Sequence, residues 1–291
     1  LRFLLTRELP APRLLRQTFE KLGATYVKLG QFIASAPSLF PGEYVLEFQN
    51  CLDRTEPLPW RTMESILKAE YKQPLDRIFQ KIDPRPLASA SIAQVHAATL
   101  HTGEDIVLKI QKPGVADVLL TDLNFLYLSA RLLELLAPDL SRTSLSAIVS
   151  DIQTTMLAEC DFLKEARHMD QFREFLVEEG LNQAYAPRVY HRYTTEKVIA
   201  MERLYGVPLT DLESIKKVSS NPEKTLITAL NTWFASLLGC EFFHADLHAG
   251  NLLVLEDGRI GFIDFGIVGR IQKSTWEGLF ALMESMNAGH F

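Results

Sequence analysis

The sequence is organised around the stretch Phe243-His244-Ala245-Asp246-Leu247-His248-Ala249-Gly250-Asn251 and the tetrapeptide Ile263-Asp264-Phe265-Gly266 that follows it. Asn251 comes five residues after Asp246, and Asp264 comes thirteen residues after Asn251. Mg²⁺ is a hard cation that takes oxygen ligands, so the amide of Asn251 and the carboxylate of Asp264 are candidate metal ligands. Asp246 is the candidate catalytic base, because a carboxylate there could accept or orient the proton of an attacking hydroxyl.

The segment between these two motifs predicts a β-hairpin. Residues 252–263 form two short apolar runs on either side of Glu256-Asp257-Gly258, which is a strong turn signal. A hairpin would fold the two halves of the site onto each other. The order His-x-Asp, Asn and Asp-Phe-Gly is that of the metal and phosphoryl-transfer site of protein-kinase-like enzymes. An isolated Asp-Phe-Gly is common by chance, whereas the full set at this spacing is not.

The bulk composition is that of an ordinary globular protein. A length of 291 residues suits one bilobal unit or two domains, and 47% hydrophobic residues suffice for a sizeable core. The net charge of −6 argues against general nucleic-acid binding. Cys51, Cys160 and Cys240 are scattered, which favours buried thiols in a reducing compartment over a disulfide framework or a zinc site.

The sequence predicts no membrane-spanning helix, because no apolar run reaches about eighteen residues. The nearest candidate, Val118 to Leu136, is predicted to be a packed helix because it is interrupted by Asp122, Asn124, Arg131 and Glu134. The chain has neither an initiator Met nor a signal peptide, so we expect it to be part of a longer protein.

The first fifty residues predict helices, because apolar residues recur there at three- and four-residue steps. At the end of this apolar stripe stands Lys28-Leu29-Gly30-Gln31. A Lys beside a Gly and an amide could hold a phosphate, pair with a buried carboxylate, or lie at a solvated helix end. A linker at Glu56 to Trp60 and a helix from Trp60 to Glu70 are expected to follow.

Strand patterning begins near Arg77 and contains a loop of small residues, Ala88-Ser89-Ala90-Ser91, before a β-like run. A short apolar strand from Asp105 to Ile110 follows and carries Lys109. A Lys in such a strand is costly unless it is paired. In kinase-like folds this Lys contacts the α- and β-phosphates and is steadied by a helix Glu. On an edge strand it would simply point to solvent.

Three acidic residues are candidate partners for Lys28 and Lys109. Ser144 to Val177 predicts one long helix with Ser144 as N-cap, and Glu159, Asp161 and Glu165 lie near its middle. Like charges this close repel one another on a bare helix, so we expect cationic partners, Lys109 and Lys28 being the candidates. The alternative is a solvated acidic face.

A second group of residues predicts the place of the nucleotide base. Pro187 to Tyr193 and Lys197 to Met201 are strand-like, and the chain then leaves the strand. In a kinase hinge, Met201 would sit behind adenine, and Glu202 C=O and Leu204 N–H would bond it. A plain strand end is the alternative. Helices are predicted from Asn221-Pro222-Glu223 to Leu238 and from Thr275 to Met286.

Together these motifs resemble the UbiB family, also called ADCK-like or activity of bc-one complex, a family of atypical kinases. The resemblance covers nearly the whole chain and implies an α+β, bilobal protein-kinase-like fold. Residues 1–74 would be a helical extension lying over the active site, residues 75–202 an N-lobe with an inserted helix, and residues 203–291 an incomplete C-lobe.

The resemblance also implies roles for individual residues. Ala88, Ser89, Ala90 and Ser91 would cover the phosphates of ATP, and Glu165 would steady Lys109. Lys28 would pair with Glu159 or Asp161, and with Gln31 it would occupy the region where ordinary kinases bind protein substrates. Lys28, Gln31, Glu159 and Asp161 would then be regulatory residues. The implied cofactors are ATP and Mg²⁺.

The family works on isoprenoid-quinone and lipid metabolism in mitochondria, plastids and bacteria, often peripherally on membranes. The residues around Gly30 to Pro41 and Leu204 to Leu209 look most like plastid and cyanobacterial members. Two functions follow as alternatives: an atypical kinase or ATPase, or a nucleotide-gated lipid-binding chaperone without productive phosphoryl transfer. A conventional Ser/Thr kinase is disfavoured, because no Ala-Pro-Glu and no long activation segment follow Asp264-Phe265-Gly266. Lipid or quinone intermediates and a membrane surface are the expected partners, and the acceptor and oligomeric state stay open.

Overall fold

A computed structural model describes most of the chain. The described residues are 10–37, 40–51, 55–136, 144–209, 211–218, 221–240, 242–245, 249–271, 275, 278 and 285, with the backbone alone at 212, 217, 218 and 249. Asp246 and most of the helix predicted from Thr275 to Met286 lie outside the described residues.

The helices, in chain order, are α1 (Pro12–Leu22), α2 (Ala24–Ser35), α3 (Gly42–Phe48), α4 (Trp60–Tyr71), α5 (Val115–Leu136), α6 (Leu145–Ala158), α7 (Phe162–Glu178), α8 (Leu212–Val218) and α9 (Pro222–Gly239). The strands are β1 (Phe79–Ser89), β2 (Ala93–Leu100), β3 (Asp105–Gln111), β4 (Ala184–Tyr185), β5 (Val198–Glu202), β6 (Gly206–Pro208), β7 (Phe243–His244), β8 (Leu252–Leu255), β9 (Ile260–Phe262) and β10 (Val268–Gly269).

The chain divides into two compact units. The first comprises Leu1–Leu163 and Tyr190–Ala200, and the second comprises Lys164–Val189 and Met201–Phe291. The boundary therefore passes through α7 and through β5. The division into an extension and two lobes, which the family resemblance implies, stays a prediction.

Helices α1 to α3 lie within residues 1–74, the predicted helical extension, and pack together in the first unit. Gly23, between α1 and α2, has a φ of 104°, a value that favours glycine and lets the chain reverse there. A small buried core holds the three helices together and contains Val27, Ile33, Tyr44, Phe48 and Cys51. The predicted helical periodicity is confirmed. However, Lys28 to Gln31 lies inside α2 and not at a helix end.

The first unit also contains a four-stranded sheet in the order β1-β2-β3-β5. Pro84 and Pro86 interrupt the ladder of β1, whose register with β2 shifts there, because a proline cannot donate to a strand ladder. Strands β2 and β3 pair regularly, with Val95 opposite Lys109. Apolar side chains of α4 and the sheet share one buried core: Met63, Leu67, Ile78, Phe79, Ala98, Leu100, Ile106, Leu108, Ile110, Val198 and Ala200.

The predicted single helix from Ser144 to Val177 is wrong, because the chain forms two helices, α6 and α7, that are separated at Glu159 to Asp161. The side chain of Gln111 donates to the Cys160 carbonyl (2.9 Å), so this oxygen is held by β3 at the break between the helices. Ser144 has a left-handed conformation and makes no side-chain cap. Glu134 caps α6 in its place by accepting from the Ser146 N–H (2.8 Å).

Among the residues that the structure describes, helix α5 is buried on one side only, so the predicted packed helix is half correct. Its buried residues are Val115, Leu119, Leu123 and Ala130. Its other side exposes large apolar side chains: Val118, Leu120, Phe125, Leu128, Leu132, Leu133, Leu135 and Leu136. Within the described residues, no helix has both the length and the apolar character needed to cross a membrane.

The second unit contains a sheet in the order β4-β9-β8-β6 and the separate pair β7-β10. Strands β8 and β9 form the predicted hairpin, and Gly258 in its turn has a φ of 84°. Helix α9 begins as predicted, because the Asn221 side chain accepts from the Lys224 N–H (3.0 Å). The strand predicted from Pro187 to Tyr193 is wrong, since this segment ends in a short 3₁₀ turn and pairs only through the bridge between Val189 and Met201.

Candidate active site

The hairpin of the second unit brings the two predicted metal ligands to the same end. Leu252 lies opposite Phe262, and one step further the carbonyl of Asn251 accepts from the Ile263 N–H (3.1 Å). Asp264 follows Ile263 directly, so it continues the strand at the end where Asn251 precedes the other strand. The register of one hairpin therefore fixes Asn251 relative to Asp264.

A local turn orients the carboxylate of Asp264. Its Oδ1 accepts a hydrogen bond from the Gly266 N–H at 3.0 Å. Asn251 is only 8% exposed, so its amide is held within the protein. A carboxylate and an amide oxygen at one hairpin end are donors of the kind that Mg²⁺ takes, and these residues therefore fit a magnesium ion.

The residues directly before Asp246 pair with the chain that follows Asp264. His244 in β7 pairs with Val268 in β10, and the Ala245 N–H donates to the Ile267 carbonyl (3.2 Å). The indole of Trp233 donates to the His244 carbonyl (2.8 Å). Asp246 itself lies beyond the described residues, so its role as base stays a prediction.

An aromatic cluster that the sequence analysis missed anchors Phe265. This side chain is fully buried, and its ring lies 5.2 Å from that of Phe172 and 5.4 Å from that of His244. His168 Nδ1 lies 3.4 Å from the Phe265 carbonyl, and burial lowers the pKa of this imidazole. The four-residue spacing of His168 and Phe172 on α7 was the available signal. Because Phe265 directly follows Asp264, the cluster also holds the backbone of Asp264 in place.

Lys109 lies in β3, as the sequence predicts. Its Nζ is 5.6 Å from the centre of the Phe162 ring, within the range of a cation–π interaction. Glu165, in the first turn of α7, is only 1% exposed. Lys109 and Glu165 belong to different units. Their pairing, like that of Lys109 with phosphates, stays a prediction.

The extension is joined to the break between α6 and α7 by the predicted ion pair. Lys28 Nζ lies 2.7 Å from Glu159 Oε2, and each side chain is 12% exposed. Lys28 therefore contacts Glu159, which is one of the two acids predicted as its partners. Burial, and the neighbouring Glu159 charge, raise the pKa of the Cys160 thiol to about 11, so this thiol stays protonated at neutral pH. Regulatory roles for Lys28, Gln31, Glu159 and Asp161 stay predictions.

Gly30 is explained by packing. A Cβ atom on this residue would lie 2.8 Å from both Cys51 Sγ and Phe48 Cδ1. These neighbours belong to the buried core of the extension, so α2 can approach Phe48 this closely only without a side chain at residue 30.

The loop predicted to cover phosphates is a tight turn between two strands. Ala88 and Ser89 belong to β1, and the turn itself comprises Ala90, Ser91 and Ile92. The Ala90 N–H donates to the Ala93 carbonyl at 2.9 Å, which closes the turn. Ser91 is buried.

The predicted hinge begins where β5 ends. Met201 is buried, and the Glu202 N–H donates to the Arg188 carbonyl (2.8 Å). The Glu202 carboxylate accepts from the Tyr185 hydroxyl (2.7 Å) and the Arg188 N–H (3.1 Å). Glu202 is therefore held by its own side chain, while contacts of Met201, Glu202 and Leu204 with adenine stay predictions.

A family model described as the ABC1 atypical kinase-like domain matches residues 50–289, which is most of this chain. The chain belongs to the ABC1 family. This confirms the resemblance drawn from the motifs, because curated relatives of this ABC1 domain include proteins named UbiB.

Two of these relatives show where the similarity lies. An uncharacterized aarF domain-containing protein kinase of Arabidopsis thaliana, described as chloroplastic, is 56% identical over 278 residues and covers 95% of this chain and 52% of its own. A probable protein kinase UbiB of Azotobacter vinelandii is 35% identical over 268 residues, which cover 91% of this chain and 50% of its own. The ABC1 chain thus spans about half the length of these relatives.

A solved structure shares the fold of this ABC1 domain. It is a Mycobacterium tuberculosis protein in complex with erythromycin, with a TM-score of 0.61 and 27% identity. The match covers 83% of this chain and 60% of the other. The predicted α+β, kinase-like fold is confirmed.

Proposed function

We propose that this ABC1 domain binds Mg-ATP and transfers or hydrolyses its terminal phosphoryl group. The observation that carries the proposal is the hairpin register that fixes Asn251 and Asp264 at one end. In this proposal they hold Mg²⁺, Lys109 holds the phosphates, and Asp246 accepts or orients the proton of the nucleophile. Bound Mg²⁺ would neutralise charge that develops on the phosphate oxygens.

Further residues would hold the remainder of the nucleotide. The β1–β2 turn with Ala90 and Ser91 would cover the phosphates, and the end of β5 would receive the base. The anchoring of Glu202 by Tyr185 and Arg188 supports this role, because it keeps the strand end in one place without using the Glu202 carbonyl.

We infer the cellular role from the family resemblance and from the names of the relatives. Relatives named UbiB and a relative described as chloroplastic support a role in isoprenoid-quinone or prenyl-lipid metabolism in a plastid. Water, a small molecule or a protein of a lipid pathway would be the acceptor. Lipids, quinone intermediates and a membrane surface belong to this proposal as partners.

The test is phosphate release from Mg-ATP by the purified protein, with and without anionic liposomes and a quinone-precursor mimic. The Asp246→Asn variant should lose turnover by at least about a hundredfold, the lower range of general acid–base effects. Asp257→Asn is the matched control, since Asp257 lies in the hairpin turn and pairs with Arg259. Unchanged hydrolysis by Asp246→Asn would count decisively against an enzyme with this base.

Binding of the same protein to the anionic liposomes, with and without nucleotide, separates the alternative function. A nucleotide-gated lipid-binding chaperone would bind liposomes in a nucleotide-dependent way even as Asp246→Asn. The Lys28–Glu159 contact favours keeping this alternative, because an ion pair between the extension and the α6–α7 break could respond to a bound ligand.

A further inference from the structure

The turn between β1 and β2 is held from one side by residues that the sequence motifs do not include. The Thr55 N–H donates to the Ser89 carbonyl (3.2 Å), and the Thr55 hydroxyl donates to the Ala90 carbonyl (2.8 Å). The Lys112 N–H donates to the Ile92 carbonyl (2.8 Å). Three carbonyls of one short segment are therefore drawn toward the linker before α4 and the end of β3.

Lys112 also sets the direction of the Thr55 hydroxyl. Its ammonium donates to Thr55 Oγ1 at 2.6 Å. An ammonium has no acceptor, so the hydroxyl must accept from Lys112 and can give its own proton to the Ala90 carbonyl. A charge-assisted bond followed by a neutral one strengthens both, and the direction of this short chain is fixed.

The hydrogen bonds to these carbonyls also orient the peptide groups of the turn. In a planar trans peptide, the C=O and the next N–H point in opposite directions. Because the Ala90 carbonyl points toward Thr55, the Ser91 N–H points away from it. A carbonyl oxygen that is held on the Thr55 side cannot turn toward an anion such as a phosphate on the other side, which its partial negative charge would repel.

We propose that Thr55, held by Lys112, is a positioning residue that fixes the β1–β2 turn for phosphate binding. The phosphate part of this proposal rests on the proposed nucleotide-binding function. The part that concerns the turn itself does not rest on that function, because the hydrogen bonds of Thr55 and Lys112 are made within the protein.

The experiment uses Thr55→Val, which removes the hydroxyl and keeps the branched shape, together with Thr55→Ser and Lys112→Met. Thr99→Val is the matched control, because Thr99 lies in the same sheet and its hydroxyl donates to exposed Asp105. Amide hydrogen exchange of residues 86–93 without nucleotide is the first readout. Affinity for Mg-ATP and Mg-ADP by calorimetry is the second.

In Thr55→Val and Lys112→Met we expect about tenfold faster exchange in residues 86–93, the scale of one lost hydrogen bond. The ratio of ATP to ADP affinity should change by a similar factor, whereas Thr55→Ser and Thr99→Val should match the parent. Exchange equal to that of Thr99→Val would overturn the proposal. Faster exchange with unchanged affinities for both nucleotides would reduce Thr55 to a structural residue.

If the parent binds neither nucleotide, the proposed function fails. The exchange comparison still decides whether Thr55 fixes the turn, so the two failures are distinguishable.

Discussion

At the scale of single residues, the motifs combine chemistry with packing. Lys28 makes an ion pair with Glu159, whereas Gly30, two residues later, serves close contact with Phe48. The sequence predicted that Lys28 pairs with Glu159 or Asp161, because the family resemblance implies this pairing and because acids so close together call for a cation. It could not predict the contact of Gly30 with Phe48, because the neighbour of a glycine depends on how helices pack.

Gly30→Ala should therefore destabilise the protein by ~1–3 kcal/mol, the usual cost of inserting an extra methyl into a well-packed core. The new Cβ would meet Phe48 and Cys51, which are buried and have little room to move. Urea unfolding measures the change. Gly42→Ala is the control, because a Cβ at Gly42 meets nothing within 4 Å. Equal free energies of unfolding for the two variants would contradict this explanation of Gly30.

Ala90→Gly should change the preference between ADP and ATP. Glycine adds backbone freedom that costs ~0.5–1 kcal/mol to order, so a turn that only one of the two nucleotides orders would change their relative affinity by about two- to fivefold. Calorimetric titration with both nucleotides measures this ratio. Ala69→Gly, at an exposed position of α4, controls for the general effect of adding a glycine. An identical preference in the parent and in Ala90→Gly would refute the prediction.

At the scale of elements, the sequence predicted an element correctly where residues within that element fix its turn or its end. The β8–β9 hairpin and the start of α9 were predicted correctly, because a turn sequence and an N-cap act on their immediate neighbours. The helix predicted from Ser144 to Val177 failed because its break is held by Gln111, a residue of β3. A contact between distant segments leaves no periodicity in either segment.

The linker and β2 share a buried polar network that predicts a dependence on pH. His96 is fully buried, with its Nδ1 2.9 Å from the Asp83 carbonyl and its Nε2 3.1 Å from the Gln94 amide nitrogen. Gln94 also bonds both the N–H and the carbonyl of Leu58. Burial lowers the pKa of His96 below its ordinary value, and the bond to Asp83 offsets this only in part.

The folded state therefore binds a proton at His96 less readily than the unfolded state. Above the ordinary His pKa of about 6.5 both states are neutral and nothing changes, while below it the unfolded state gains protons and stability falls. We expect the free energy of unfolding to drop between pH 7 and pH 5, as measured in urea. His96→Phe should be less stable at pH 7 but should decline less steeply. Parallel declines in the two proteins would argue against His96 as the source.

At the scale of the whole molecule, the prediction concerns how ligand binding stabilises the fold. A ligand that binds only the folded state adds about 2.7 kcal/mol at one hundred times its Kd. Mg-ATP should therefore raise the melting temperature of the parent and of Asp257→Asn. Asp264→Asn should lose most of this rise, because an amide is a poorer Mg²⁺ ligand than a carboxylate. A full rise in Asp264→Asn would remove this residue from the metal site.

The sequence by itself determined the family, the kinase-like fold, the hairpin that sets Asn251 beside the strand of Asp264, and the starts of α4 and α9. These depend on residue types at short spacing, whose effects are local. The tertiary structure decided which acid meets Lys28, where the predicted long helix breaks, and which groups hold the β1–β2 turn. Those contacts join segments far apart in the chain, and they form only where packing brings the segments together.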